Sequence, residues 1–472
     1  MKPQDLPEDL LLAFERQRSA TASQRDVPWA VRARRLQRLQ TLLHSHEAEI
    51  VQAIHADFGG RPATETELAE IWPSLEETKT ALRHGQGWMK PRRAPVGKWF
   101  LPATAQVLPQ PLGVVGVIVP WNYPLYLAIG PMAAALAAGN RVMVKMSELT
   151  PVFSALFQRL CEQAFSADEV CIVNGGPEVA AAFSALPFDH LLFTGSTPVG
   201  RKVMAAAAAH LTPVTLELGG KSPAVITPGY PLAHAVQRIL AGKLINAGQT
   251  CIAPDYVLLP RAQMPAFVEA ARAQARRSHP TGLADADYCS VIHPRHQARL
   301  VQALEEATAR GTPAEVLFEG PARDDARHRL APVLLLNPPA DTEVMREEIF
   351  GPLLPLVPYD DLNEALAFIN ARPHPLALYW FDHDRARTDA ALRQLPAGGV
   401  TVNDTLLHIA QHSLPFGGVG ASGMGHYHGR WGFDTFSKLK PVFRQSRFNG
   451  MALFMPPYRP LMRRLLALMK RY

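Results

Sequence analysis

Two side chains in this 472-residue sequence combine a useful chemistry with a place where it could be used. Cys251 stands in Gly248-Gln249-Thr250-Cys251-Ile252-Ala253-Pro254, where the helical pattern Leu232–Asn246 stops and a glycine releases the chain into a loop. A thiol at such a junction faces a cleft and can act as a nucleophile; the alternative is a small buried hydrophobe, which the apolar neighbours of Cys161 and Cys171 suggest for those two. Glu217 ends a predicted strand in Thr215-Leu216-Glu217-Leu218-Gly219-Gly220-Lys221. Flanked by leucines, its carboxyl should be desolvated and made more basic, which suits a general base. Pairing with Lys221 or Lys243 is the competing expectation.

Two further places could assist. Asn122, in Pro120-Trp121-Asn122-Tyr123-Pro124, follows the carboxyl end of a strand, where a side-chain amide can donate to a developing oxyanion; a turn asparagine before proline is the structural alternative. Gly195-Ser196-Thr197-Pro198-Val199-Gly200 closes a strand and opens a helix, whose first N–H groups could hold a pyrophosphate. Its spacing is that of neither a P-loop nor the usual dinucleotide fingerprint.

Other patterns carry less. Gly418-Val-Gly420-Ala-Ser-Gly423 matches G-x-G-x-x-G, but it lacks the preceding strand and following helix and reads as a turn-rich loop. His408 and His412 are four apart without the glutamate or supporting carboxylate of a zinc helix, so no metal is expected. A serine hydrolase would need a G-x-S-x-G elbow, and the chain has none.

The elements that must position these residues follow from pattern. Leucines and isoleucines at helical spacing between residues 19 and 58 predict helices. Leu112–Val119 (LGVVGVIV) is a β-branched run suited to a strand buried on both faces of a parallel sheet. A helix over Pro131–Ala138 stops at Gly139-Asn140. Strands Arg141–Lys145, Val170–Val173 and His190–Phe193 then alternate with helices Val152–Phe165, Glu178–Leu186 and Val199–His210, which predicts an α/β doubly wound sheet with ligands at the carboxyl ends of its strands. From Thr215 a second α/β stretch is expected, with strands near Thr215–Leu218, Ala224–Ile226, Tyr256–Leu259, Leu353–Val357 and Gly399–Thr401. The proline-rich segment from Lys90 to Pro111 reads as a connecting arm or short edge strands.

Composition sets the outer limits. At 47% hydrophobic and 19% charged residues, disorder and fibrous folds are excluded for the body. The net charge of +6 is deceptive, because residues 438–472 hold nine basic residues and no acid, leaving the first 437 at −3. A basic groove for nucleic acid is therefore not expected. Four cysteines without a C-x-x-C pair point to a reducing cytoplasm. The N-terminus lacks the basic and apolar regions of a signal peptide. No run approaches the ~18 apolar residues of a membrane span. In the tail, Leu461, Leu465, Leu468 and Tyr472 form an apolar stripe opposite Arg463, Arg464, Lys470 and Arg471, a basic amphipathic helix that could lie on an anionic membrane or pack over the chain's own substrate entrance.

Taken in order, Pro-Trp-Asn at Asn122, Lys-x-Ser-Glu at Lys145–Glu148, Phe-Thr-Gly-Ser-Thr at Phe193–Thr197, Glu-Leu-Gly-Gly-Lys at Glu217–Lys221, Gly-Gln-Thr-Cys at Gly248–Cys251, Glu-Glu-Ile-Phe-Gly-Pro at Glu347–Pro352 and Pro-Phe-Gly-Gly at Pro415–Gly418 resemble the NAD(P)-dependent aldehyde dehydrogenase superfamily. The residues after Cys251 and near Ser422–Gly429 are similar to its class 3 branch. Phe58–Pro62, Ala69–Pro73, Trp88–Arg92 and the Arg447–Tyr458 stretch look most like the bacterial coniferyl aldehyde dehydrogenases.

The resemblance implies a Rossmann-like cofactor-binding domain over 1–216 with an oligomerisation arm at 90–111. It further implies a catalytic domain over 217–408, a return segment over 409–437 and the basic tail 438–472. It makes Cys251 the nucleophile toward the aldehyde carbon, and gives the oxyanion to the Asn122 amide and the Cys251 N–H. Glu217 becomes the base that activates water against the thioester; relatives that transfer the acyl group to coenzyme A generally lack this residue. Lys145 and Glu148 would hold the adenosine ribose, Gly195, Ser196 and Gly200 the cofactor phosphates, and Glu348 with Phe350 the nicotinamide ribose, with Trp121 beside them. NAD is expected ahead of NADP because a carboxylate near the 2′-hydroxyl disfavours a 2′-phosphate. The class 3 branch implies a homodimer, and Asn403 would either line the site mouth or be a buried structural asparagine. The family usually has proline at position 146; Met146 here predicts a looser strand end around Lys145 and Glu148. Aromatic, cinnamyl-type aldehydes are the expected substrates, with medium- or long-chain aldehydes and a membrane-associated tail as the alternative. A cofactor-free thiol ester hydrolase is the rival enzyme class, and a membrane-surface protein led by its tail the non-enzyme one.

Overall fold

A computed structural model describes residues 7–470. Two sheets position the candidate residues. The first has six strands in the order Gly423–Met424, Val214–Glu217, His190–Thr194, Val114–Ile118, Arg141–Lys145 and Val170–Val173. All its pairings are parallel except the first. The central strand Val114–Ile118 is buried throughout, as a near-continuous apolar run with helices on both faces should be. The second sheet has seven strands in the order Ala314–Val316, Val333–Leu336, Leu353–Tyr359, Tyr256–Pro260, Pro223–Ile226, Ala377–Phe381 and Gly399–Val402. One hydrophobic core runs beneath both sheets, from Val115 and Val144 to Val257 and Leu356.

The strand Val214–Glu217 belongs to the first sheet, where Thr194 pairs with Glu217; the second sheet starts at Pro223 rather than at Thr215. Glycine makes its edge possible. Gly423 opposes Glu217 across the antiparallel pair, and a Cβ on Gly423 would stand 2.1 Å from the Leu216 carbonyl oxygen.

The helix expected from Pro131 begins five residues earlier, at Tyr126. Its start is capped from outside: the Glu70 carboxylate accepts the N–H groups of Leu125 and Tyr126 at 2.7 and 3.1 Å, replacing the local cap that a sequence reading looks for. Pro131 is carried inside the second turn of the helix.

The basic segment 438–472 is not uniformly a helical tail. Ser437–Arg444 is a strand, paired over eight positions with Thr104–Pro111, which also pairs with Arg92–Ala94. The arm 90–111 and the start of the tail thus share one three-stranded sheet. Leu439, Val442 and Phe443 interspersed with basic residues make an exposed strand that the count of charges concealed. After a 3₁₀ turn at Met451–Phe454, α-helix follows at Pro460–Met469, with Met462 buried and Leu461, Leu466 and Leu468 exposed. Tyr472 of the expected stripe and Arg471 of the opposite basic face lie outside the described residues.

Candidate active site

The loop carrying Cys251 is shaped by a left-handed kink. The helix Leu232–Leu244 is followed by Asn246 and Ala247 at φ 51° and 50°. Gly248 at φ 77° has a Cβ position only 2.3 Å from the Gly351 carbonyl oxygen, so no side chain fits there. Strained backbone of this kind persists where its surroundings hold it. Here Asn246 Nδ2 donates to the carbonyls of Asn122 and Gln249 at 3.0 and 3.2 Å. Gln249 Nε2 donates to the carbonyls of Asn246 and Ser290, and Gln249 Oε1 accepts from the Ile292 N–H.

Cys251 emerges half-buried into a cavity of about 430 Å³ whose wall also includes Glu217 and Thr250. The structure therefore brings Cys251 and Glu217 to one cavity although they leave different sheets. The rest of the wall is mainly apolar, including Trp72, Tyr123, Leu127, Ile252, Leu406 and Phe416.

Glu217 is 2% exposed, and neither carboxylate oxygen has a hydrogen-bond partner. Burial raises its pKa well above the ordinary carboxylate value. Neither lysine considered as its partner takes it: Lys221 is paired with Asp255, and the buried Lys243 ammonium makes no hydrogen bond. An uncompensated buried carboxyl is the arrangement expected of a proton acceptor.

Burial pushes the Cys251 thiol up, and the charges of Glu348 and Glu217 add to this, while the N–H groups of Cys251 and Ile252 act in the opposite direction. Glu348 is itself raised to about 8, by burial first and then by Asp255.

Asn122 is not among the residues that line the cavity but adjoins the Cys251 loop. Its Nδ2 donates to the Gln249 carbonyl at 3.1 Å, which leaves the second amide hydrogen available. Sequence reasoning missed what holds it there. Arg61, fully buried, donates through Nη1 to Glu70 at 2.7 Å and to the Asn122 carbonyl at 3.1 Å. Its guanidinium stacks over Phe58 and Tyr123. The signal was present in two segments noticed only for their likeness to relatives, Phe58–Pro62 and Ala69–Pro73.

Glu70→Ala would strand the Arg61 charge and release the Leu125 and Tyr126 amides, costing about 3–5 kcal/mol. Urea unfolding should show that loss together with a fall in kcat; unchanged stability would mean that the pair does not brace the site.

The remaining predicted residues line the carboxyl edge of the first sheet. Gly195 follows the strand His190–Thr194, Ser196 precedes the helix Thr197–Ala208, and that helix start has no side-chain cap and keeps Ser196 and Val199 exposed. A Cβ on Gly200 would come 2.7 Å from Leu218, so glycine lets the helix approach the sheet. Thr194 Oγ1 is buried without a partner. Lys145 Nζ donates to the carbonyls of Met146 and Gly175 at 2.6 and 2.7 Å, and Glu148 is exposed beside it. An open helix start, an unpartnered hydroxyl and a Lys–Glu pair at one sheet edge fit a dinucleotide phosphate and ribose.

Glu348 lies against Gly219, where a Cβ would stand 2.1 Å from its carboxylate. Phe350, at φ 51°, packs edge-on against Trp121 with ring centres 5.4 Å apart.

One expectation is corrected, and one alternative is decided in favour of a structural role. Met146 does not loosen the strand end: it is 1% exposed and its N–H donates to the Val173 carbonyl at 3.0 Å, a bond that proline could not make. Asn403 turns its Oδ1 to the Asp382 N–H at 2.8 Å, and its neighbour Asp404 lines the cavity instead.

Comparison with known proteins identifies the family. The model of the aldehyde dehydrogenase family matches residues 3–442. A "Probable coniferyl aldehyde dehydrogenase" of Pseudomonas aeruginosa is 52% identical over 446 residues, spanning 94% of this chain and 93% of the relative. The "Coniferyl aldehyde dehydrogenase" of a Pseudomonas species is 43% identical, spanning 96% and 94%. Among solved structures, the substrate-bound state of Staphylococcus aureus AldH superposes with a TM-score of 0.92 at 35% identity, over 98% of this chain and 99% of that one.

Proposed function

The chain belongs to the aldehyde dehydrogenase family, and from that premise we propose that this NAD(P)-dependent enzyme oxidises aromatic, cinnamyl-type aldehydes such as coniferyl aldehyde to their acids, with Cys251 as nucleophile and Glu217 as base. The observation that carries the reading is the meeting of a half-buried thiol and an unpaired buried carboxyl in one apolar cavity, together with the names of the relatives.

Cys251 attacks as the thiolate, its proton having passed to solvent: the sulfur bonds to the aldehyde carbon and the carbonyl π pair moves to oxygen. The oxyanion takes hydrogen bonds from the free Asn122 amide hydrogen and the Cys251 N–H. NAD(P), when bound, supplies the hydride acceptor that converts this thiohemiacetal to a thioester. Glu217 removes a proton from water as the water oxygen attacks the thioester carbon, and the sulfur departs with its electron pair. The apolar wall excludes other water and favours a flat aromatic substrate.

Lys145 and Glu148 hold the adenosine ribose, the turn Gly195 to Gly200 the phosphates, and Glu348, Phe350 and Trp121 the nicotinamide end. The exposed Glu148 carboxylate supports NAD over NADP. Residues 1–216 with 409–437 serve as the cofactor-binding unit and 217–408 as the catalytic one. The test is reduced-cofactor absorbance with coniferyl aldehyde, cinnamaldehyde and aliphatic aldehydes: the highest kcat/KM should fall on the cinnamyl members, and activity confined to long aliphatic chains would overturn the substrate assignment.

A homodimer belongs to the same reading, supported by the exposed edge strand Ser437–Arg444; light scattering should give twice the chain's 51.8 kDa, and the mass of one chain would exclude it. No helix among the described residues is long and apolar enough to cross a membrane. The basic segment with exposed Leu461, Leu466 and Leu468 supports peripheral contact with anionic lipid. The full chain should float with phosphatidylglycerol vesicles and a chain ending before Arg459 should not; equal behaviour of the two would remove the tail from membrane contact.

A further inference from the structure

Of the residues lining the cavity, three are charged: Glu217, Arg238 and Asp404. Glu217 serves the reacting end, so the other two need their own account. Arg238 and Ala241 with Gly242 line the cavity from successive turns of one helix, and Ile245, the residue that ends that helix, lines it as well. Ile245 adjoins the Cys251 loop. Seven residues at 1.5 Å each put Arg238 about 10 Å farther along the helix axis, roughly the length of a cinnamaldehyde carrying a para substituent.

Asp404 is held opposite it. Thr405 Oγ1 donates to the Arg238 carbonyl at 2.9 Å. It can do so because residue 242 is glycine, where a Cβ would stand 2.3 Å from that oxygen. The Asp404 Oδ1 accepts the Thr405 N–H at 2.8 Å, leaving Oδ2 toward Arg238.

The pair is open, as several partly exposed ion pairs of this protein are. Arg238 Nε is 3.5 Å from Asp404 Oδ2, and that buried Nε makes no hydrogen bond. Pairs that brace the fold are closer: 2.7 Å for Arg61 with Glu70 and 2.6 Å for Arg387 with Asp382. A loose donor and a loose acceptor, side by side at the end of an apolar cavity, suit one hydroxyl that accepts from the first and donates to the second.

We propose that Arg238 and Asp404 form a subsite for the distal hydroxyl of the substrate, so that the enzyme selects phenolic cinnamaldehydes over equally large apolar ones. This rests on the cinnamyl reading above and adds to it the residues that choose among such aldehydes. Glu217 and Cys251 hold the carbonyl end, and the Arg238–Asp404 pair measures the length and polarity of the other.

The test compares kcat/KM for 4-hydroxycinnamaldehyde and 4-methylcinnamaldehyde, which match in size and differ in the hydroxyl. The wild-type enzyme should prefer the hydroxylated substrate by about tenfold, the value of one hydrogen bond to a charged group at a half-open site. In Arg238→Met and in Asp404→Ala the ratio should fall to near one, chiefly through KM of the phenol. Both substitutions remove a partly exposed ion pair and leave the fold intact. A wild-type ratio near one, or a ratio that survives both substitutions, would overturn the subsite while leaving the cinnamyl reading standing. Failure of the wild-type enzyme to oxidise either compound would overturn that reading itself.

Discussion

Cys251→Ala should abolish aldehyde oxidation, with kcat/KM reduced by 10⁴-fold or more, because no other thiol can take its place. Cys161 and Cys289 are buried, and Cys171 sits on the strand Val170–Val173, away from the cavity wall. Loss of the covalent route removes the nucleophile and the oxyanion geometry that depends on it. Substitution by alanine costs little in packing, since the side chain is half-buried against an open cavity. The folded variant should still bind NAD, measured by quenching of tryptophan fluorescence. Residual oxidation above about 1% of wild type would show that the thiol is not the nucleophile.

Glu217→Gln should separate the two halves of the reaction. Acylation of Cys251 can proceed, but water loses its base, so steady-state kcat should drop by roughly 10²–10⁴-fold. Rapid mixing should then reveal a burst of reduced cofactor close to one equivalent per active site, followed by slow turnover. The wild-type enzyme should gain activity as pH rises, because burial raises the Glu217 pKa and only the carboxylate accepts a proton.

The same shift has a thermodynamic sign. In the window above the ordinary value of 4.5 and below the raised native one, the folded state binds more protons than the unfolded state, so Glu217 makes the wild type lose stability as pH rises. Glutamine lacks that loss. Glu217→Gln should therefore match the wild type in Tm near pH 4.5 and exceed it by several degrees near pH 8. A variant less stable than wild type at both would mean that the carboxylate is structurally paired.

Cys251 and Glu217 were legible in the sequence because each breaks its local pattern: a thiol among small polar residues, an acid between leucines ahead of paired glycines. The alternating strands and helices over residues 112–210 were legible for the same kind of reason, since β-branched runs and helical periods differ visibly. The strands Val333–Leu336 and Ala377–Phe381 were not, because four or five apolar residues suit a buried strand and a buried helix turn equally well.

Arg61 and Glu70 were hidden by their chemistry. Charged residues nine positions apart near helices look solvated, and only tertiary structure shows them buried together beneath Asn122. Met146 misled through a single comparison with proline, because the N–H that proline lacks is the group that secures the strand end.

The most direct test is the intact mass of Glu217→Gln after one turnover with coniferyl aldehyde and NAD. The chain should gain the mass of one feruloyl group, and peptide mapping should place the adduct on Cys251. Acid formed at the wild-type rate with no adduct, or an adduct on Cys161, Cys171 or Cys289, would contradict covalent catalysis by Cys251.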